Sequence, residues 1–301
     1  MKVAFASSSN LALPALHAVR AAGHQIVGLI TKPDAPKGRG RVLEASEIAT
    51  HFVASGLPVH KPKSHSELME SLHELKPELV IAISYGRLIR KPALESTKFG
   101  WINLHFSLLP KYRGAAPVQW AILNGESSTG ITIFKLDEGM DTGPILAAAE
   151  RKLQGDETSG LLLDELAVLG AGKIVEAMDL VGEGVTGISQ PSEGTLAPKI
   201  SKEMARIEWQ RSAEEIDRLI RAMNPAPTAW STLDGERVRF IRARVSEGNG
   251  GIGEVIALNP LTVGTGMGAI IVEEIQGEGK KRMKTPDWLR GVRLNVGAKF
   301  V

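Results

Sequence analysis

The chain has 301 residues, near the length at which a single hydrophobic core stops growing, so two domains are expected. With 43% hydrophobic and 23% charged residues the composition is that of an ordinary globular protein, and a formal net charge of +2 does not by itself call for a nucleic-acid partner. There is no cysteine, which excludes disulfides, thiolate nucleophiles and cysteine-based zinc sites.

The opening residues MKVAFASSSN run straight into a strand pattern instead of the apolar segment of a signal peptide. No later run approaches the length of a membrane span, so a cytoplasmic protein is expected. Residues 2–6 read as a buried strand, followed by polar Ser7, Ser8, Ser9 and Asn10. A helix from about Leu11 then turns Leu13, Leu16 and Val19 inward. Gly23 ends that helix and 25–31 reads as a second strand; this strand–helix–strand rhythm implies a parallel sheet. The first turn lacks G-x-G-x-x-G, which argues against a nicotinamide or flavin held in the usual way.

Residues 32–41 contain two prolines and two glycines, a composition that predicts no regular structure. Lys32, Lys37, Arg39 and Arg41 stand there against one acid, Asp34. Such a loop is either solvated surface or an attractor for a phosphodiester backbone. Helices at 44–55 and 64–75 flank a short strand at 57–60. The almost wholly apolar run 79–84 has the composition of a central parallel strand, and Tyr85, Gly86 and Arg87 turn away from its end.

Residues 100–117, GWINLHFSLLPKYRGAAP, supply the next strand, a proline-containing loop and a helix start. Asn103 and His105 are two residues apart, so on a strand they project to one side. An amide and an imidazole at the exit of a buried strand form either a catalytic pair or a satisfied strand-end pair. Ligands of open α/β sheets sit outside the carboxyl ends of the strands, so the loops at 83–88 and 103–110 are expected to share one cleft.

A helix at 115–124 and a strand at 130–136 lead into Asp137-Glu138-Gly139-Met140-Asp141-Thr142-Gly143-Pro144, a glycine-bracketed turn rich in carboxylates. A strand at 145–152 and a long helix at 159–181 follow. Residues 182–200 are rich in Gly, Ser, Thr and Pro and read as an extended linker. After a helix at 212–223, short β-like runs near 238–245, 253–257, 261–263 and 269–275 suggest a small barrel. Arg237, Arg239, Arg242 and Arg244 lie in one of these runs, the first two on a common face; Lys280, Lys281, Arg282 and Lys284 form a second basic cluster. The glycines 264, 266 and 268 have no helix after them and are not read as a phosphate loop. The expected fold is α/β: a Rossmann-like, mostly parallel sheet over 1–184, a linker over 185–205, and a small OB-like β-barrel domain over 206–301.

Asn103-x-His105, the Ser107-Leu108-Leu109-Pro110 loop and Asp141 within DEGMDTG together resemble the 10-formyltetrahydrofolate-dependent formyltransferases. PDAPKGRGR (33–41) is similar to the tRNA-contacting insertion of the family's methionyl-tRNA branch, and KISKEMARIEW (199–209) and NPAPTAW (224–230) look like its junction with the C-terminal domain. The resemblance covers essentially the full length. It implies formyl transfer from 10-formyltetrahydrofolate to the amino group of initiator methionyl-tRNA, with Asn103, His105 and Asp141 catalytic. It implies a folate pocket lined by Ser107, Leu108, Leu109 and Pro110 and by Tyr85, Gly86 and Leu88. It further implies tRNA contacts from Lys37, Arg39, Arg41 and the C-terminal barrel, a monomer, and neither a metal nor a membrane partner. One departure stands out: the family's usual Gly-Thr-Pro turn after the first strand is Ser7-Ser8-Ser9-Asn10 here.

Transfer of a formyl group to an amine passes through a tetrahedral centre with negative charge on oxygen. An Asn amide can donate to that oxygen and an imidazole can move protons near neutral pH. A carboxylate can fix the imidazole's tautomer, directly or through water. Two other readings share parts of the pattern. A folate formyltransferase acting on a small amine such as a nucleotide sugar would keep the three residues and dispense with the cationic loop. A non-catalytic RNA-binding protein on the same fold would lack at least one of the three.

Overall fold

Apolar strands with helical crossovers can bury both faces of a sheet only by winding in parallel, and the first half of the chain does so. The protein is seen in a computed structural model that describes residues 1–37 and 42–301, without the side chains of Lys37 and Val42. In chain order the elements are β1 (Lys2–Ser7), α1 (Leu13–Ala21), β2 (Gln25–Ile30), β3 (Ala35–Lys37), β4 (Val42–Glu44), α2 (Glu47–Ala54), β5 (Val59–His60), α3 (His65–Leu75), β6 (Leu79–Ile83), α4 (Lys91–Leu94), β7 (Trp101–His105), β8 (Arg113–Gly114), α5 (Pro117–Leu123), β9 (Ser128–Lys135), β10 (Ile145–Lys152) and α6 (Ser159–Gly182). They continue with β11 (Leu196–Ala197), α7 (Ala213–Ala222), β12 (Ala229–Leu233), β13 (Glu236–Ser246), β14 (Val255–Leu258), β15 (Leu261–Gly264), β16 (Ala269–Gly277), β17 (Met283–Lys284) and α8 (Thr285–Leu289).

Two compact units result: Met1–Pro117 with Ser128–Lys152 and Leu163–Ala197, and Val118–Ser127 with Leu153–Leu162 and Pro198–Val301. The stretch expected as a linker therefore divides at Ala197, and its first part belongs to the first unit.

The first unit holds a seven-stranded sheet in the order β10-β9-β7-β6-β1-β2-β5. Five strands are parallel, while β9 runs against β7 and β10 against β9. The register aligns Val80 with Trp101, Ala82 with Asn103, Phe134 with Asn103, and Thr132 with His105, so these side chains share one face. Trp101, Val80 and Ala82 belong to a core on that face with Leu68, Leu72 and Tyr85. Leu104 points the other way, onto α6: a Cβ on Gly170 would come within 2.6 Å of its Cδ1. The alternation thus buries Leu104 beneath the helix and leaves Asn103 and His105 at the end of the opposite face.

Two expectations for the amino-terminal half are corrected. Residues 32–41 are not wholly irregular, because β3 and β4 form a two-stranded antiparallel ribbon with Pro36 opposite Leu43. A ribbon has only edges, where proline's missing N–H costs no ladder bond. The helix expected from residue 44 begins at Glu47, because Ser46 caps it with an oxygen that accepts from the Ala49 N–H at 3.3 Å.

The second unit is a six-stranded antiparallel sheet, ordered β12-β13-β16-β15-β14 with β17 on β16. Residues 297–301 bond to both outer strands, through Thr232 on one side and Val255 on the other. Trp209, Phe240 and Phe300 pack as a triangle with ring centroids 5.3–5.8 Å apart, and the Trp209 indole N–H donates to Ser231 Oγ at 2.9 Å. Helix α7 lays Ala213, Ile216 and Ile220 into this core, one helical turn apart, and starts in a capping box between Ser212 and Glu215. The sequence pattern misses β12, whose alternation is carried by small residues around Trp230.

Candidate active site

His105 ends β7 and is 5% exposed. Its Nε2 lies 2.9 Å from the Tyr112 carbonyl, which can only accept, so Nε2 carries the hydrogen and Nδ1 is the basic atom. Nδ1 stands 3.6 Å from Oδ2 of Asp141. That separation is too long for a hydrogen bond and short enough for strong Coulomb coupling. Burial lowers the imidazole's pKa below its ordinary value, and the Asp141 carboxylate and the bond to the Tyr112 carbonyl partly offset this. The ring edge-packs on Phe134 at 6.4 Å.

Asp141 reaches the imidazole from a turn with its own internal bracing. Asp137 is spent on that bracing: its carboxylate accepts from the Gly139 N–H at 3.0 Å and from Thr142 Oγ1 at 2.9 Å. A Cβ at Gly143 would lie 1.8 Å from the Lys135 carbonyl, so glycine is needed where the turn closes on β9. Asp141 itself has φ +54°, a left-handed conformation that aspartate tolerates better than most residues. Its Oδ2 accepts from the Gly114 N–H at 2.8 Å. Asn103, two residues before His105 on the same face, is half-buried, and its amide has no hydrogen-bond partner among the described residues. An amide on the same strand face as a base, lacking a partner of its own among the described residues, is available to a ligand's oxygen.

The 107–110 loop is fixed from behind. Ser107 is fully buried and donates to the Lys111 carbonyl at 2.6 Å. Thr132 Oγ1 donates to the Ser107 carbonyl at 2.7 Å and accepts from the Leu109 N–H at 3.1 Å. Leu108 lies on Gly130, where a Cβ would meet its Cδ2 at 2.7 Å. Pro110 accepts from the Thr195 N–H through its carbonyl at 3.3 Å. The Ser107 hydroxyl and the Ser107 carbonyl, Leu109 N–H and Pro110 carbonyl are thus all committed to the protein, which fixes the path of the loop.

Models of two families match the sequence: Formyl transferase over residues 1–178 and its C-terminal domain over 199–293. The methionyl-tRNA formyltransferase of Streptomyces coelicolor is 41% identical over 305 residues, covering 99% of this chain and 98% of that protein. That of Thermodesulfovibrio yellowstonii is 42% identical over 299 residues, with coverages of 98% and 97%. The chain belongs to the formyl transferase family. Among solved structures, HypX from Aquifex aeolicus in complex with tetrahydrofolic acid has the same fold, with a TM-score of 0.69 at 20% identity over 96% of this chain and 47% of that one.

Within this formyl transferase, the remaining residues implied by the resemblance are placed as follows. Ser84 and Gly86 have φ of +51° and +63°, and Tyr85 between them is buried in the core below, its hydroxyl pKa raised by that burial. Leu88 is exposed, and Lys32 Nζ would lie 3.0 Å from a Cβ at Gly86. The unusual Ser7–Asn10 turn makes its own bonds. Ser7 and Ser9 pair with each other's backbone or side chain at 3.1 Å, and Asn10 donates to Glu47 at 2.6 Å. Ser8 donates to the Ser84 carbonyl at 3.0 Å, which ties the exits of the neighbouring strands β1 and β6 where the sheet's winding reverses. Arg39, Arg41 and the side chain of Lys37 lie outside the described residues.

On the second unit, β13 has a bulge at Ile241 that re-phases the strand, so Arg242 and Arg244 return to the outer side that Arg237 and Arg239 occupy. Glu273 pairs with both Arg242 and Arg244, at 3.0 and 3.4 Å, and Arg237 lies 3.9 Å over the Trp230 ring. Among the described residues no helix is long and apolar enough to cross a membrane. The sequence pattern does not reveal Tyr112 and Gly114, which act through their backbones, or Arg113 and Gln190, the second of which hides in a stretch that reads as linker.

Proposed function

We propose that the protein transfers the formyl group of 10-formyltetrahydrofolate to the free amino group of methionyl-tRNA. The observation that carries this reading is the half-buried Asn103 amide, without a hydrogen-bond partner among the described residues, on the same strand face as His105, whose basic Nδ1 is faced by Asp141.

In the reaction the amine nitrogen bonds to the formyl carbon, the carbonyl oxygen takes negative charge, and the bond from that carbon to N10 then breaks. Asn103 donates its N–H to the charged oxygen. His105, neutral near pH 7 because it is buried, accepts the proton shed by the attacking nitrogen at Nδ1. Asp141 stabilises the imidazolium so formed, which returns the proton to N10 as that nitrogen leaves. The 107–110 backbone and the 84–88 turn, at the ends of adjacent parallel strands, hold the folate, whose N10-linked formyl group supplies the carbon transferred. The 32–41 loop and the outer arginines of β13 hold the tRNA. Charged initiator tRNA places this chemistry in the cytoplasm, and one chain carries every group named.

Full-length relatives that are methionyl-tRNA formyltransferases favour the tRNA acceptor over a small amine. The test is a formylation assay with 10-formyltetrahydrofolate and three acceptors: charged initiator tRNA, charged elongator tRNA and a nucleotide-linked amino sugar. Formylation of the initiator species in preference to the others is expected. Turnover of the sugar without turnover of charged tRNA would overturn the assignment.

A further inference from the structure

Gln190 sits in the segment that reads as linker, yet its side chain enters the catalytic turn. Its Nε2 donates to two carbonyls, Asp141 at 3.0 Å and Gly143 at 2.7 Å. Its Oε1 accepts from Arg113, from Nε at 3.3 Å and Nη2 at 2.9 Å. The amide has only one workable orientation, since flipping it would set oxygen against two carbonyls and NH2 against a guanidinium.

Arg113 is buried and has its remaining donors on the Pro191 and Ser192 carbonyls, at 2.9 and 3.3 Å. Gly194 passes so close that a Cβ there would meet Arg113 Cζ at 3.3 Å and the Pro110 carbonyl at 2.5 Å. Arg113 precedes Gly114, whose N–H holds the Asp141 carboxylate. Strand β8 therefore grips Asp141 at both ends, directly at Oδ2 and through Gln190 at the backbone carbonyl. A left-handed residue that must aim a carboxylate at an imidazole depends on such constraint.

We propose that Gln190, anchored by Arg113, is a positioning residue that sets where the Asp141 carboxylate stands relative to His105. The inference rests on the catalytic reading above. The alternative is that the pair only fastens the 188–197 segment to the unit.

The full-length protein is assayed with 10-formyltetrahydrofolate and charged initiator tRNA as wild type, Gln190→Met, Arg113→Lys and Asp141→Asn. Gln190→Met keeps the side chain's length and removes every hydrogen bond. It is expected to lower kcat by at least about tenfold while KM for both substrates stays within about threefold, as for an interaction felt in the transition state. The acid limb of kcat/KM should move to lower pH, because His105 loses the carboxylate that raises its pKa. Fastening alone would lower the melting temperature and leave that limb in place.

A Gln190→Met protein that binds tetrahydrofolate, turns over within twofold of wild type and keeps its acid limb overturns the proposal. If Gln190→Met does not fold, Arg113→Lys carries the same readout, because lysine cannot grip Oε1 with two donors. A displaced limb supports the proposal and an unmoved one overturns it. Asp141→Asn separates the two levels: near-normal turnover by that variant means the catalytic reading has failed, not the role of Gln190.

Discussion

Asp141 faces Nδ1 of His105 at 3.6 Å while the ring's other nitrogen is tied to the Tyr112 carbonyl at 2.9 Å. A proton taken up by His105 in the proposed reaction must therefore sit on Nδ1, on the side of the carboxylate. Replacing His105 with Ala removes that acceptor. Formyl transfer should fall by about 10²–10⁴-fold in kcat, the usual contribution of a positioned acid–base. Rapid-quench formylation at saturating substrates measures the loss, and far-UV circular dichroism checks that the variant is folded. A folded variant with near-normal turnover would remove His105 from the mechanism.

The buried imidazole also makes stability depend on pH. Its folded pKa lies below the ordinary value of 6.5, chiefly because burial disfavours the charged ring. Between the folded pKa and 6.5 the unfolded chain binds more protons than the folded one, so stability rises with pH through that window. The contribution is complete above 6.5 and is lost as pH falls through the folded pKa. Denaturant titrations at pH 7.5 and pH 5 should show a smaller difference for His105→Gln than for wild type. Equal differences would mean that the ring is free to charge in the folded protein.

Asn103→Ala tests the oxyanion role separately. Loss of one pre-placed donor typically costs about 10²–10³ in kcat, with little change in KM, since the charge exists only near the transition state. Because the Asn103 amide has no hydrogen-bond partner among the described residues, truncating it there leaves no buried group unsatisfied. The melting temperature should thus stay close to that of wild type. A variant that loses KM and keeps kcat would make Asn103 a binding residue only.

How much of this site a sequence reveals depends on which atoms do the work. The roles proposed for Asn103, His105 and Asp141 belong to side chains, and their spacing on a strand and a glycine-bracketed turn is legible as residue type and period. Tyr112 and Gly114 act through a carbonyl and an N–H that every residue possesses, so no pattern marks them. Gln190 is hidden by its neighbours: Gly187, Pro191, Ser192 and Gly194 read as linker, although Gly194 is required by its close approach to Pro110 and Arg113. The parallel sheet is legible because its strands are apolar on both faces. The β3–β4 ribbon is not, because two prolines outweigh a pairing of three residues a side.

Gly130 couples the sheet to the 107–110 loop, which is proposed to hold the folate. A Cβ there would come within 2.2 Å of the Ala149 carbonyl on β10 and 2.7 Å of Leu108 Cδ2. Gly130→Ala must either part β9 from β10 or lift Leu108 and the loop that carries it. Over-packing of this kind costs about 1–3 kcal/mol, readable as a lower melting temperature. KM for 10-formyltetrahydrofolate should rise more than KM for tRNA, because the loop moves and the basic surface does not. Unchanged folate KM in a destabilised variant would place the folate away from Leu108.

The tRNA reading turns on charge. Arg242 and Arg244 share Glu273, so part of their charge is already balanced, whereas Arg237 and Arg239 have no carboxylate within ion-pair distance among the described residues. Each phosphate neutralised by Arg or Lys steepens the fall of log K with log salt by about 0.7–0.9. Reversing the charge at Arg39 and Arg41 should therefore flatten the salt dependence of kcat/KM for charged tRNA by about 1.5 in that slope. Tetrahydrofolate binding, which needs neither residue, should not change. Measuring kcat/KM from 50 to 300 mM salt decides it: the same slope in wild type and variant would show that the loop meets no phosphate, and the acceptor would then be held by the β13 face alone.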